Sequence, residues 1–156
     1  MITRQEIIKE LKKYFDIREF VCPHTFAAFG ERSWQFLDTE ILHTVLILRM
    51  EILKVPMICN DYMFKGRFDE RGLRCNICDT VKGKTEDNQI YLSAHCNGKG
   101  MDFVFPFKSG MTAEKAHQLI KKNANLLPYN VRIEKEVSWL HIDCFDTGQK
   151  VYEFNG

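Results

Sequence analysis

The chain has 156 residues, 45% of them hydrophobic, with 22 basic and 21 acidic side chains and a formal net charge of +1. That length suits one domain, residues 1–156, with a substantial core, and the apolar content excludes a disordered chain. Balanced charge excludes a general electrostatic drive toward nucleic acid or anionic membrane, and no apolar run approaches the roughly 20 residues of a membrane span. Met1 to Lys13 is amphipathic and lacks the apolar stretch and small-residue cleavage site of a signal peptide, so cytoplasmic synthesis is expected. Cys22, Cys59, Cys75, Cys78, Cys96 and Cys144 are scattered, and most read as free thiols in core or loop.

Thr3-Arg4-Gln5-Glu6 has capping-box spacing, and apolar residues follow at Ile7, Ile8, Leu11 and Phe15, which predicts a helix over Gln5–Phe15. Asp16 to Glu31 reads as irregular. A longer helix is predicted from Trp34 to Lys54, with Leu37, Ile41, Val45, Leu48 and Ile52 as its apolar stripe. Pro56–Cys59 reads as a short buried strand, and residues 60–89, polar and glycine-rich, as loops. Ile90–Leu92 reads as a strand leading into Ser93-Ala94-His95, and Asp102–Phe105 as another. Thr112 caps a predicted helix, Ala113–Asn125, stopped by Pro128. Val131–Glu136 and Trp139–Phe145 read as two strands that a hairpin through Val137-Ser138 would pair, and Val151–Phe154 as a last edge strand. Helices first and strands later predict an α+β fold, N-terminal helices packed on a mainly antiparallel sheet.

A catalytic zinc site uses three protein ligands, nitrogen, sulfur or carboxylate oxygen, and leaves one position open. His95 closes one predicted strand, and Asp102 opens the next after a connection that Gly98 and Gly100 let fold tightly. In Trp139–Phe145 the side chains alternate: Leu140, Ile142 and Cys144 face the core, while Trp139, His141, Asp143 and Phe145 share the other face. His95, Asp102 and His141 are thus a candidate ligand set. Read one at a time, each also fits a structural histidine or a turn aspartate.

Ser93-Ala-His95-Cys-Asn-Gly98-Lys-Gly100-Met-Asp102 resembles the pattern Ser-x-His-x-x-Gly-x-Ala-x-Asp, and Trp139-Leu-His141-Ile-Asp143 resembles its companion His-x-Asp element. These are motifs of the zinc D-alanyl-D-alanine carboxypeptidases, a family that includes phage endolysins and shares its fold with the hedgehog signalling domain. Cys59-Asn60-Asp61 through Arg71-Gly72-Leu73-Arg74 is similar to the segment before the first zinc histidine, so the likeness runs from about Phe15 to Phe145. The resemblance implies that His95, Asp102 and His141 bind Zn2+. Gly100 departs from the usual alanine, a change expected only to loosen the loop.

A peptidase also needs a general base and a cation for the oxyanion. Glu136, five residues before His141, is the leading base; the family's glutamate commonly lies three before, and Glu134 and Asp143 remain open. Glu134 and Glu136 also fit a solvated charged face beside Arg132 and Lys135. Arg74 resembles the family arginine that would bind an oxyanion or a substrate carboxylate, and is alternatively a surface arginine. Trp139 would line the cleft, Ser93 would hold its edge through a hydrogen bond, and Asp143 would orient a ligand from behind or be a surface carboxylate. Cys22, His24, Cys75 and Cys78 form a competing Cys₃His set whose halves lie about fifty residues apart in sequence.

The expected function is zinc-dependent hydrolysis of an amide bond in peptidoglycan stem peptides, by a monomer that acts on the cell wall once released, as a phage or prophage lysin does. A non-enzymatic binding or virion-structural domain with the same fold, and a small zinc-ribbon adaptor using the cysteines, are the alternatives.

Overall fold

The computed structural model describes residues 2–156; Met1 lies outside them. Helix α1 spans Arg4–Leu11 and opens on the expected capping box: the Thr3 hydroxyl accepts from Glu6 N–H, and Glu6 accepts from Thr3 N–H at 2.7 Å. It ends a turn earlier than its apolar spacing predicts, although Phe15 still reaches the core. Helix α2, Pro23–Phe29, occupies a stretch that reads as irregular. Its signal was Pro23, whose ring fixes the backbone angle of a first helical residue and whose missing N–H is not needed there.

The long predicted helix is three pieces. A 3-10 turn covers Gly30–Phe36, Asp38 caps helix α3 at Thr39–Ile47 by accepting from Glu40 N–H at 2.8 Å, and Leu48–Ile52 widens into a π turn. The stripe Leu37, Ile41, Val45, Leu48 and Ile52 is buried throughout, so periodicity located the core face correctly while the backbone changed pitch beneath it. Helix α4, Asp79–Glu86, forms inside the polar stretch read as loop. It buries no residue, so it carries no apolar stripe by which to find it.

Four strands make one mixed sheet in the order β1-β3-β2-β4: β1 Gly100–Phe103, β2 Val131–Glu134, β3 Leu140–Asp143 and β4 Val151–Phe154. β1 and β2 flank β3 antiparallel, whereas β4 runs parallel to β2, so two of the three pairings are antiparallel and the sheet is mixed at its β4 edge. The strand predicted over Pro56–Cys59 shrinks to a single bridge between Ile58 and Val104. Helix α5, Ala113–Lys122, capped by Thr112, packs against β3 and the π turn, and α1 packs on α3. Every residue of β1 and β3 is buried. Met101, Phe103, Leu140 and Ile142 belong to the helix-backed core, and the alternate residues of β3, His141 and Asp143, are covered as well. No helix among the described residues is long and apolar enough to cross a membrane.

Candidate metal centre

Asp102 and His141 stand directly opposite each other in the β1–β3 register. Opposed residues of an antiparallel pair project to the same face, so the sheet itself delivers a carboxylate and an imidazole to one point. His95 arrives differently. No strand forms at Ile90–Leu92, whose Ile90 and Leu92 side chains are exposed; His95 sits instead in a tight turn. That turn is held by the Ser93 hydroxyl, which accepts His95 N–H at 3.2 Å, and by Lys99 N–H donating to Ala94 O at 2.9 Å. Gly98 closes it at φ 64°, where a Cβ would lie 2.1 Å from Phe36 O, so only glycine fits. Gly100 does not loosen this connection. It begins β1, and its bare Cα lets Ala94 pack down: an added Cβ would stand 2.8 Å from the Ala94 Cβ.

The polar atoms converge on Asp102. His141 Nδ1 lies 2.8 Å from Oδ1 and His95 Nε2 lies 3.3 Å from Oδ2, with the imidazole centroids 5.2 Å apart. The far nitrogens are also engaged: His95 Nδ1 is 2.9 Å from Gly72 O, and His141 Nε2 is 2.9 Å from Asp143 Oδ2. A carbonyl and a carboxylate only accept, so those far nitrogens carry the N–H. The opposite nitrogens, His95 Nε2 and His141 Nδ1, both turn toward Asp102: a metal ion there would take their lone pairs, and without one a proton on His141 Nδ1 donates to the carboxylate. One donor atom from each of the three residues lies within 4.8 Å of the others, and all three side chains are buried. Histidines fixed by acceptors behind them and a carboxylate between them form a donor set that fits a divalent metal ion.

Without a metal, the same cluster is an ion network. Burial alone would push the His141 imidazole down, but hydrogen bonds to Asp102 and Asp143 raise it to about 9. Burial opposes ionisation of Asp102 too, yet the two histidines hold its carboxyl well below the usual carboxylate range. Asp143 is likewise lowered against its burial, by His141 and by Arg132, whose guanidinium grips it with two 2.9 Å bonds. Arg132 lies over the rings of Phe145 and Phe154, and Phe145 N–H donates to Asp143 at 3.0 Å. Asp143 is thus a fully buried group behind His141 and not a surface carboxylate.

The cluster lies in a cleft of about 410 Å3 whose walls include Ser93, Arg74, Trp139 and Glu134. A second groove, lined by Arg67, Phe68 and Arg71, meets the first at Arg74, Asp102 and Trp139. Arg74 is held by three bonds, to Glu70 O at 2.6 Å, Tyr91 Oη at 2.6 Å and Asp102 Oδ2 at 3.5 Å. The Glu136 side chain is exposed on the β2–β3 turn at φ 61° and does not line the cleft, whereas Glu134 does. Tyr91, Arg132 and the Gly72 carbonyl were not singled out from sequence. Arg132 was legible only through register, since it pairs across from Asp143; the Gly72 carbonyl has no side-chain signal at all. The structure also gathers Cys22, His24, Cys75 and Cys78 into a second cluster.

No protein-family model matches the chain, and no curated protein or solved structure matches it either. What the fold and site define is an α+β domain, N-terminal helices on a mixed sheet, with a candidate metal-binding cluster of two histidines and an aspartate.

Proposed function

We propose that the chain is a zinc-dependent peptidase that hydrolyses an amide bond in the stem peptides of peptidoglycan. The observation that carries the metal is the arrangement of the two imidazoles, each held from behind with its near nitrogen turned toward Asp102. Zinc suits two histidines and a carboxylate with a position left open. The substrate class rests on the resemblance of Ser93–Asp102 and Trp139–Asp143 to the D-alanyl-D-alanine carboxypeptidase motifs.

When bound, zinc would supply Lewis-acid chemistry that acidifies water and polarises the scissile carbonyl. The chain supplies the rest. Glu134, on the cleft wall, takes a proton from the attacking water as the water oxygen bonds to the carbonyl carbon, and passes it to the nitrogen as the C–N bond breaks. Arg74 commits three of a guanidinium's five N–H donors to the protein, which leaves a fixed cation beside Asp102 to offset charge developing on the carbonyl oxygen. Trp139, shared by both grooves, gives a flat apolar wall on which a stem peptide can lie. Asp143 and Arg132 keep His141 oriented, and Ser93 keeps the His95 turn closed.

The test is digestion of purified peptidoglycan of several chemotypes, with mass spectrometry of the released peptides. Cleavage at one amide bond is expected. Glu134→Gln should lower kcat by about 10²–10⁴ with the metal retained, and Glu136→Gln should leave it within a few-fold. Reversal of those two results moves the base to Glu136. No cleavage of any wall type by metal-loaded protein would sink the peptidase reading and favour a binding domain.

A further inference from the structure

The geometry points to a second metal centre, a closed structural zinc site formed by Cys22, His24, Cys75 and Cys78. It is separate from the His95, Asp102 and His141 cluster and shares no residue with it. One donor atom from each of the four residues lies within 4.8 Å of the other three. Cys75 Sγ and Cys78 Sγ are 3.9 Å apart, and Cys78 Sγ is 3.9 Å from His24 Nδ1. A zinc–thiolate tetrahedron with bonds of roughly 2.3 Å has edges of about 3.8 Å, so the Cys75 and Cys78 sulfurs already stand at the spacing that a shared zinc imposes. All six cysteines of the chain are free thiols.

The backbone explains why two segments far apart in sequence meet here. Val21 and Leu73 form a parallel bridge, with Leu73 N–H donating to Phe20 O at 2.8 Å and Cys22 N–H donating to Leu73 O at 3.1 Å. Gly72 permits that approach, since a Cβ there would lie 2.2 Å from Phe20 O. Just past the bridge, one segment presents Cys22-Pro-His24 and the other Cys75-Asn-Ile-Cys78. The second segment wraps its own sulfur, because Ile77 N–H donates to Cys75 Sγ at 3.4 Å. Cys22 and Cys78 are buried while Cys75 is half-buried and His24 exposed, which leaves a path for an ion from solvent. Three thiolates and one imidazole fill a tetrahedron completely, and soft sulfur donors select zinc over magnesium, calcium or manganese. Such a site leaves no position for a substrate, so its work is mechanical: it pins the start of α2 to the segment carrying Gly72, whose carbonyl holds His95, and Arg74.

The test uses the full chain loaded with zinc and, separately, with cobalt(II). Metal analysis should find about two zinc ions per chain, one for each cluster. The cobalt(II) protein should show intense thiolate-to-cobalt charge-transfer absorption, which three-sulfur coordination produces and the His/Asp cluster cannot. That absorption should survive His141→Ala and vanish in the Cys75→Ser, Cys78→Ser double variant. Zinc should also protect Cys22, Cys75 and Cys78 from alkylation until a chelator is added, a measurement on the unaltered chain that holds even where the double variant fails to fold. Absence of the charge-transfer absorption from the unaltered chain, or equal alkylation of the three thiols with and without zinc, would overturn the site. Loss of one metal from His141→Ala with the absorption intact would support the site and assign the lost ion to the other cluster.

Discussion

The two clusters of metal-ligand residues are built by opposite means. His95, Asp102 and His141 sit where the register of two buried strands puts them, and every outward-facing polar atom of the histidines has an acceptor of its own. Cys22, His24, Cys75 and Cys78 stand on two short segments tied by one bridge, with a histidine in solvent and a helix, α4, that buries nothing. The first cluster has a scaffold that does not depend on an ion, because salt bridges and a sheet hold it. The second has little else to hold it. A site prepared in advance with an open position suits chemistry, and a site whose ligands need the ion to stay together suits cross-linking.

The sharpest way to break this contrast is to exchange the losses. His141→Ala should abolish hydrolysis and remove the metal from its own cluster, read by metal analysis and by peptide release. Replacing Cys75 and Cys78 by serine should act on the fold instead. A cross-link joining segments about fifty residues apart is worth on the order of 3–5 kcal/mol in chain entropy, so the thermal midpoint should fall by roughly 10 °C. If the cysteine variant lost activity outright at full thermal stability, the division of labour between the two clusters would be wrong.

How far the sequence reached also differs between the two. The sheet cluster was legible because strand alternation puts His141 and Asp143 on one face, opposite Leu140, Ile142 and Cys144, and because the histidine–aspartate spacing is short and local. The carrier of His95 was not legible: Ile90-Tyr91-Leu92 has the composition of a strand, yet no partner strand pairs with it and its Ile90 and Leu92 side chains stay exposed. Glu136 against Glu134 turned on whether β2 ends before or after residue 135, which depends on the turn and not on periodicity. The cysteine cluster was visible only as two fragments. What joins them is the Val21–Leu73 bridge, a contact over fifty residues that no local pattern encodes. Helix α4 escaped for the same reason that makes it dependent on its surroundings, the lack of an apolar face.

A smaller effect tests whether the sheet cluster is prepared from behind. Asp143→Asn removes the charge that holds His141 Nε2–H and leaves Arg132 without its bidentate partner. Carboxylates in this position typically contribute 10–100-fold to metal affinity, so competition with a chelator should show weaker binding by about that factor. The cysteine cluster should keep its metal in this variant. An unchanged affinity would mean that the β1–β3 register alone fixes His141.

The smallest effect concerns acidity, and separates a scaffold held by salt bridges from one held by an ion. In chelated protein His141 stands at about 9, above the roughly 6.5 of a free imidazole. The folded state therefore binds that proton more tightly than the unfolded state, and the contribution is fully present below about pH 6.5 and lost as pH rises through about 9. Asp102 and Asp143 are lowered, so theirs is present above about pH 4 and lost on further acidification. Thermal midpoints of the chelated protein should accordingly fall by several degrees between pH 6.5 and 9.5, and His141→Gln should not show that fall. Metal on His141 Nδ1 replaces the proton, so loaded protein should hold its midpoint through the same alkaline range and lose metal as pH drops. Equal alkaline losses with and without metal would place the raised proton affinity somewhere other than the Asp102–His141–Asp143 network.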